Sequence, residues 1–155
     1  MNLRNTLTRS LVAAILVLGG LELVSAVQAQ TPTLTAHDAW AREPMGGRNM
    51  TGLFVVVENA GSAPRAIVSA ATDAADKVEL HEMKNDGGMM RMSPVKQIDV
   101  PAHGKAELKP GSFHVMLFGL KDKLVAGDSI NLTLTFDDGT TVTTAASVRK
   151  PGGDR

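Results

Sequence analysis

The chain has no cysteine and no tyrosine, and aromatic residues make up only 3% of its 155 residues. Without thiols it can form neither disulfide bonds nor thiolate metal sites. This excludes zinc sites built on cysteine and the blue-copper centre of electron-transfer proteins. Basic and acidic residues balance to a formal net charge of +0. Because proteins that bind nucleic acid need clustered positive charge to contact phosphates, this balance argues against nucleic acid as a partner.

Long hydrophobic runs are also missing, apart from a short one near the N-terminus. Arginines precede an apolar segment of 11 residues at 11–21, and Val27-Gln28-Ala29 offers a small-residue cleavage site. This order is typical of a secretory signal peptide, and a membrane span would need roughly 20 apolar residues. We therefore predict a cleaved signal peptide at 1–29 and a mature periplasmic protein at 30–155, with an uncleaved membrane anchor as the alternative. The absence of cysteine near the cleavage site also excludes lipid attachment there.

The mature sequence consists of short runs rich in Val, Thr, Ile and Phe, separated by Gly, Pro, Asn and Asp. None has the period of an amphipathic helix, although a helical turn near 71–75 is conceivable. Regularly spaced short strands predict one all-β domain, an antiparallel sandwich. Asp137-Asp138-Gly139-Thr140 predicts a hairpin turn. The predicted strands are Thr33–Trp40, Thr51–Asn59, Arg65–Ala71, Lys77–Lys84, Met89–Val95, Gln97–Val100, Lys105–Leu108, Phe113–Leu120, Ser129–Asp137 and Thr140–Val148.

Histidine and methionine form the most informative pattern. His81, Met92, His114 and Met116 have the spacing His-x10-Met-x21-His-x-Met. Imidazole and thioether are uncharged donors, and thioether sulfur selects soft monovalent copper over hard divalent ions. Methionine needs to lose no proton before it binds. The pattern therefore predicts a Cu(I) site formed by these four side chains.

The predicted strands can bring these donors together. Side chains alternate along a strand, so His81 lies on the polar face of its strand, and His114 and Met116 point to one side of theirs. The turn at 85–88 lets the following strand pair back and brings Met92 close to His81. We therefore expect the four ligands on the polar side or rim of the sandwich.

The sequence gives weaker support for the other histidines and methionines as copper ligands. Met83 lies two residues from His81, and Met90 lies two residues from Met92, so each faces the same side of its strand as a candidate ligand. Each is therefore a candidate for an accessory contact to copper. His103, in a Pro-Ala-His-Gly segment, is predicted to be a turn residue and not a ligand. Met45 and Met50 flank two glycines, and we expect a structural role for them.

With these residues in place, the chain resembles the periplasmic PCu(A)C-type copper chaperones. The four-residue spacing carries the resemblance, with support from Gly87–Met92 and Leu108–Gly111, and the similar layout runs over 34–148. The resemblance implies a cupredoxin-like Greek-key β-sandwich that binds one Cu(I). It also implies delivery of that copper to cytochrome c oxidase, with subunit II or a Sco-type assembly factor as partner. Some members carry a His- and Met-rich tail. The short tail here, predicted to be disordered, has neither residue.

The sequence contains no arrangement of residues typical of a catalytic site. A copper ion held by four protein donors would also leave no coordination position for a substrate. We expect a monomeric copper carrier and not an enzyme. Three alternatives remain open from the sequence: a copper buffer or detoxifying binder without a dedicated acceptor, a copper reductase or dismutase, and a metal-free sandwich that serves adhesion or assembly.

Overall fold

The computed structural model describes residues 33–152. The predicted signal peptide and the end of the predicted tail lie outside these residues, so both stay predictions. Within the described range, no helix has the length and apolar character to cross a bilayer. The strands are β1 (Leu34–Arg42), β2 (Met50–Asn59), β3 (Arg65–Ala71), β4 (Ala75–Asp86), β5 (Met89–Pro94), β6 (Ile98–Val100), β7 (Gly104–Leu108), β8 (Phe113–Leu120), β9 (Ser129–Phe136) and β10 (Thr141–Arg149).

Each of the predicted strands is present, which confirms that the chain is all-β. Two local features differ from expectation. The helical turn considered near 71–75 is absent: β3 continues to Ala71, and β4 starts at Ala75 after a tight turn. A single 3-10 turn at Met45–Gly47 was not predicted, since three residues are too few to show a period.

The order of strands along the hydrogen-bonded path is β5-β4-β8-β2-β1-β10-β9-β3-β6, and β7 also pairs with β2. The pairs are antiparallel except for β1 and β10, which run parallel. The predicted antiparallel sandwich is confirmed, and β1–β10 is the one parallel pair among the described strands. Alternation of polar and apolar residues shows which side chains are buried, but it does not reveal the direction of a strand's neighbour.

The apolar core joins the two halves of this path into a sandwich. Leu53 and Leu117, from the β2–β8 half, belong to one buried cluster with Ile67, Leu132 and Phe136 from the β3–β9 half. Because these side chains fill one face of each layer, the opposite face of the β4–β8–β2 layer is free to carry polar residues.

The β4–β5 hairpin determines where Met92 lies. Gly87 and Gly88 form its two-residue turn with φ of 59° and 87°, a conformation that glycine adopts without steric cost. This turn places Met92 directly opposite Met83. β5 is the edge strand, and all six of its residues are exposed.

Candidate metal centre

Strand pairing brings the candidate ligands to one outer face of the sheet. His81 on β4 lies directly opposite His114 on β8, and Glu79 lies opposite Met116. On the other side of β8, Gly52 of β2 is the partner of Met116. A Cβ at Gly52 would lie 3.2 Å from the Phe54 ring, so glycine at this position lets that ring pack closely over the strand.

The His114 ring is buried and directed by the backbone. The residue is 4% exposed, and Nδ1 of its ring donates to the carbonyl oxygen of Ser112 at 2.9 Å. A carbonyl only accepts, so the proton is on Nδ1, and in the neutral ring Nε2 carries a lone pair. Burial lowers the pKa of His114 below its ordinary value, which favours this neutral form.

The lone pair of His114 Nε2 faces the thioether sulfur of Met92, which also carries lone pairs. His114 Nε2 lies 3.1 Å from the sulfur of Met92. Two ligand atoms at about 2.0 Å (nitrogen) and 2.3 Å (sulfur) from a tetrahedral metal are roughly 3.5 Å apart. The two atoms are therefore already close to the spacing that a shared soft cation requires.

His81 has a different set of contacts. Its Nε2 lies 2.9 Å from a carboxylate oxygen of Glu79, and hydrogen bonds from Lys77 and His81 lower the pKa of Glu79. Its Nδ1 is buried and has no hydrogen-bond partner within residues 33–152. The ring centroids of His81 and His114 are 5.9 Å apart, somewhat wider than the roughly 5 Å expected when both rings bind one tetrahedral ion.

Exposure divides the four candidates unequally. His81 and Met116 are each 6% exposed, whereas Met92 is 45% exposed. As expected, all four side chains lie on the side of the sheet opposite the core. Burial there was not expected: His81, His114 and Met116 are covered, and only Met92 lies at the exposed rim.

A row of aromatic rings explains this burial. Trp40 of β1 packs on Phe54 of β2 with centroids 4.4 Å apart, and Phe54 lies 6.2 Å from the His114 ring. His81 then lies 5.9 Å from the ring of Phe118. The two histidines are therefore inner members of a row that crosses four strands, and rings from distant parts of the chain cover them.

A cavity of about 350 Å³ opens beside this row. Met83, Met45 and Met50 reach it, although the sequence favoured a purely structural role for the last two. Met90 is exposed and does not line it. The residues that line the cavity are Arg42, Glu43, Pro44, Met45, Arg48, Met50, Thr51, Gly52, Phe54, Met83, Met92, Pro110, Gly111, His114 and Met116.

The other histidines take no part in this centre. His103 has φ of 50° in the turn before β7, where its backbone N–H donates to Gly61, and this agrees with its prediction as a turn residue. His37 pairs with Asp38 and Glu58, which raise its pKa. In the part of the chain that the structure describes, no group of three or more His, Cys, Asp or Glu side chains could hold a metal.

Two contacts of the centre were missed by reasoning from sequence. Glu79 could have been found, because it has the strand parity of His81. The carbonyl of Ser112 could not, because nothing in a sequence shows which backbone oxygen a buried imidazole will contact.

Comparison with known proteins identifies the family of this chain. The model of the LpqE-like family matches residues 34–148. The chain belongs to the LpqE-like family. A protein of Leifsonia xyli subsp. xyli named as a lipoprotein is 38% identical over 149 residues, which are 92% of this chain and 89% of the relative. The present family member has no cysteine.

Solved structures relate this LpqE-like chain to PCuAC domains. The solution structure of Cu(I)-DR1885 from Deinococcus radiodurans is 32% identical with a TM-score of 0.65, and the match covers 83% of this chain and 87% of that one. The copper-bound PCuAC domain from PmoF2 is 21% identical with a TM-score of 0.65, covering 79% and 97%, and shows the shared fold. The predicted family and cupredoxin-like fold are confirmed.

Proposed function

We propose that this LpqE-like protein binds one Cu(I) through His81, Met92, His114 and Met116 and carries it to an acceptor. The observation that supports this most directly is the 3.1 Å approach of Met92 sulfur to the unprotonated Nε2 of His114. Two lone pairs that face each other repel unless a cation lies between them.

The chemistry of the donors selects the ion. Thioether sulfur prefers Cu(I), and imidazole accepts it, whereas Mg²⁺ and Ca²⁺ require oxygen ligands. A relative with 32% identity was solved with Cu(I) bound. Four protein donors leave no open position at the metal, so carriage is favoured over catalysis.

Release is proposed to begin at Met92. This is the exposed member of the set, on an edge strand, while the other three donors are buried. An incoming donor of a partner protein can therefore reach the metal from the Met92 side and displace this thioether first. The ion would then pass by ligand exchange without a free aqueous intermediate.

The proposed acceptor is the copper centre of cytochrome c oxidase, reached through subunit II or a Sco-type assembly factor. The proposed compartment is the periplasm, on the basis of the predicted signal peptide. Both proposals rest on the sequence pattern and on the resemblance to copper chaperones.

Metal selectivity is tested by titrating the protein with Cu(I) against a chromogenic chelator, and then with Zn(II) and Cu(II). We expect one tight Cu(I) per chain and much weaker Zn(II) binding. Met92→Leu should weaken Cu(I) binding, and Met90→Leu, a neighbouring exposed methionine of the same strand, is the matched control. Equal retention of Zn(II), or equal effects of the two variants, would contradict the proposal.

Transfer distinguishes a chaperone from a copper buffer. The Cu(I)-loaded protein is mixed with increasing concentrations of the soluble domain of subunit II, and the transfer rate is measured. Ligand exchange predicts a rate that rises with acceptor concentration. A buffer that releases copper spontaneously would give a rate independent of the acceptor.

A further inference from the structure

The two histidines of the candidate centre present different nitrogens. His114 donates from Nδ1 to the Ser112 carbonyl, and Nε2 faces Met92. In His81 the engaged nitrogen is Nε2, 2.9 Å from the Glu79 carboxylate. A carboxylate, like a carbonyl, only accepts, so Nε2 of His81 carries the proton.

The remaining nitrogen of His81 is then an acceptor without a partner. Nδ1 is buried, and within residues 33–152 it has no hydrogen-bond partner. An unsatisfied buried acceptor is uncommon because it loses hydration and gains nothing in return. Coordination of a metal ion would satisfy this lone pair.

Glu79 is itself held in place. Lys77 Nζ lies 2.7 Å from its other carboxylate oxygen, and the Lys77 ammonium also lies over the Phe118 ring at 5.8 Å from the centroid. Phe118 in turn packs beside His81. The carboxylate therefore has fixed contacts on both sides, and it can maintain one orientation and one tautomer of the imidazole.

From this geometry we infer that His81 binds Cu(I) through Nδ1, that His114 binds it through Nε2, and that Glu79 is the positioning residue that keeps His81 Nδ1 free. The inference rests on the proposed function, because it names the ligand atoms of the same centre. Carboxylate partners of ligating histidines fix the tautomer and raise the basicity of the ligand, and their loss lowers metal affinity about 10- to 100-fold.

Long-range proton–nitrogen NMR spectra of the ¹⁵N-labelled protein test the inference at the level of atoms. We expect His81 protonated at Nε2 and His114 protonated at Nδ1 in the metal-free protein. With one equivalent of Cu(I), the resonances of His81 Nδ1 and His114 Nε2 should shift as metal-bound nitrogens. Binding of His81 through Nε2 would overturn the inference and leave the proposed function standing. Absence of a metal shift on both rings would overturn both.

Variants of Glu79 test its positioning role. Glu79→Leu removes the acceptor and should lower Cu(I) affinity about 10- to 100-fold. Glu79→Gln retains an accepting oxygen and should keep both the Nε2-protonated tautomer of His81 and most of the affinity. Glu107→Leu is the matched control, because Glu107 also pairs with a lysine two residues away but lies on β7.

Equal losses in Glu79→Leu and Glu107→Leu would show that a strand carboxylate matters only for charge or folding, and would overturn the role of Glu79. Equal losses in the Leu and Gln variants of Glu79, with the His81 tautomer unchanged in both, would overturn it as well. Selective loss in Glu79→Leu with a changed tautomer supports it.

Discussion

Replacing His114 by alanine should lower both the Cu(I) affinity and the free energy of unfolding, whereas Met92→Leu should lower the Cu(I) affinity alone. His114 is 4% exposed and packs between the rings of Phe54 and His81. Truncating a buried aromatic side chain costs about 3–5 kcal/mol for phenylalanine. The imidazole is smaller, and the Ser112 carbonyl keeps its bond from the Met83 N–H, so we expect about 2–4 kcal/mol.

Met92→Leu provides the comparison. Met92 is exposed on the edge strand, and leucine has a similar volume, so the free energy of unfolding should change by no more than about 0.5 kcal/mol. Both variants lose one donor atom to copper. A rim position for all four ligands would instead predict intact folding in both.

The assay is urea and thermal unfolding of the metal-free proteins, followed by the fluorescence of Trp40. This residue is the only tryptophan of the chain, and it is buried beside Phe54. The expected loss in His114→Ala corresponds to a fall in Tm of roughly 10 °C for a domain of this size. If His114→Ala unfolds at the wild-type midpoint, or if Met92→Leu is equally destabilised, the burial argument is refuted.

Three further outcomes follow from the same contacts. Burial lowers the pKa of His114 from the ordinary 6.5, so the unfolded chain takes up this proton first. Stability of the metal-free protein should therefore fall as pH drops below about 6.5 towards the lowered value, and the fall should be smaller in His114→Gln, as measured by urea unfolding across pH. Hydrogen peroxide should oxidise Met92 in the metal-free protein, and bound Ag(I), a soft ion that peroxide leaves unchanged, should protect Met92 but not Met89. Peptide mass mapping checks this, and equal oxidation of both methionines would count against Met92 as a ligand. Finally, His103→Ala should leave Cu(I) affinity unchanged in chelator competition, because His103 lies in a turn outside the cavity.

The local parts of the structure could be predicted from the sequence. Alternation of side chains located the strands, and Gly87-Gly88 predicted the hairpin that brings Met92 back along β4. These features depend on neighbouring residues, so a sequence window contains the necessary information. The pairing of His81 with His114 could not be read from a local window, because it depends on the register of two strands that are far apart in the chain.

The parts that failed depend on distant contacts. Burial of His114 comes from Phe54, which reaches it from another strand, and a strand's own alternation cannot show that its polar face is covered. The parallel pairing of β1 with β10 joins opposite ends of the domain. Likewise, the separate hydrogen-bond partners of the two imidazoles follow from side-chain orientation, which the pattern of residues leaves open.

The β1–β10 pairing also constrains when the domain can finish folding. Among the strands within residues 33–152, β1 is synthesised first and β10 last, and together they join the two halves of the strand path. Ordering such a contact closes a loop of nearly the whole domain, which slows folding. A chain whose last strand has not yet been released would therefore keep one edge of β1 unpaired, and the two halves of the strand path would not be joined. We expect the molecule to stay unfolded until its last strand is released, a state in which a chain can be threaded through a narrow channel.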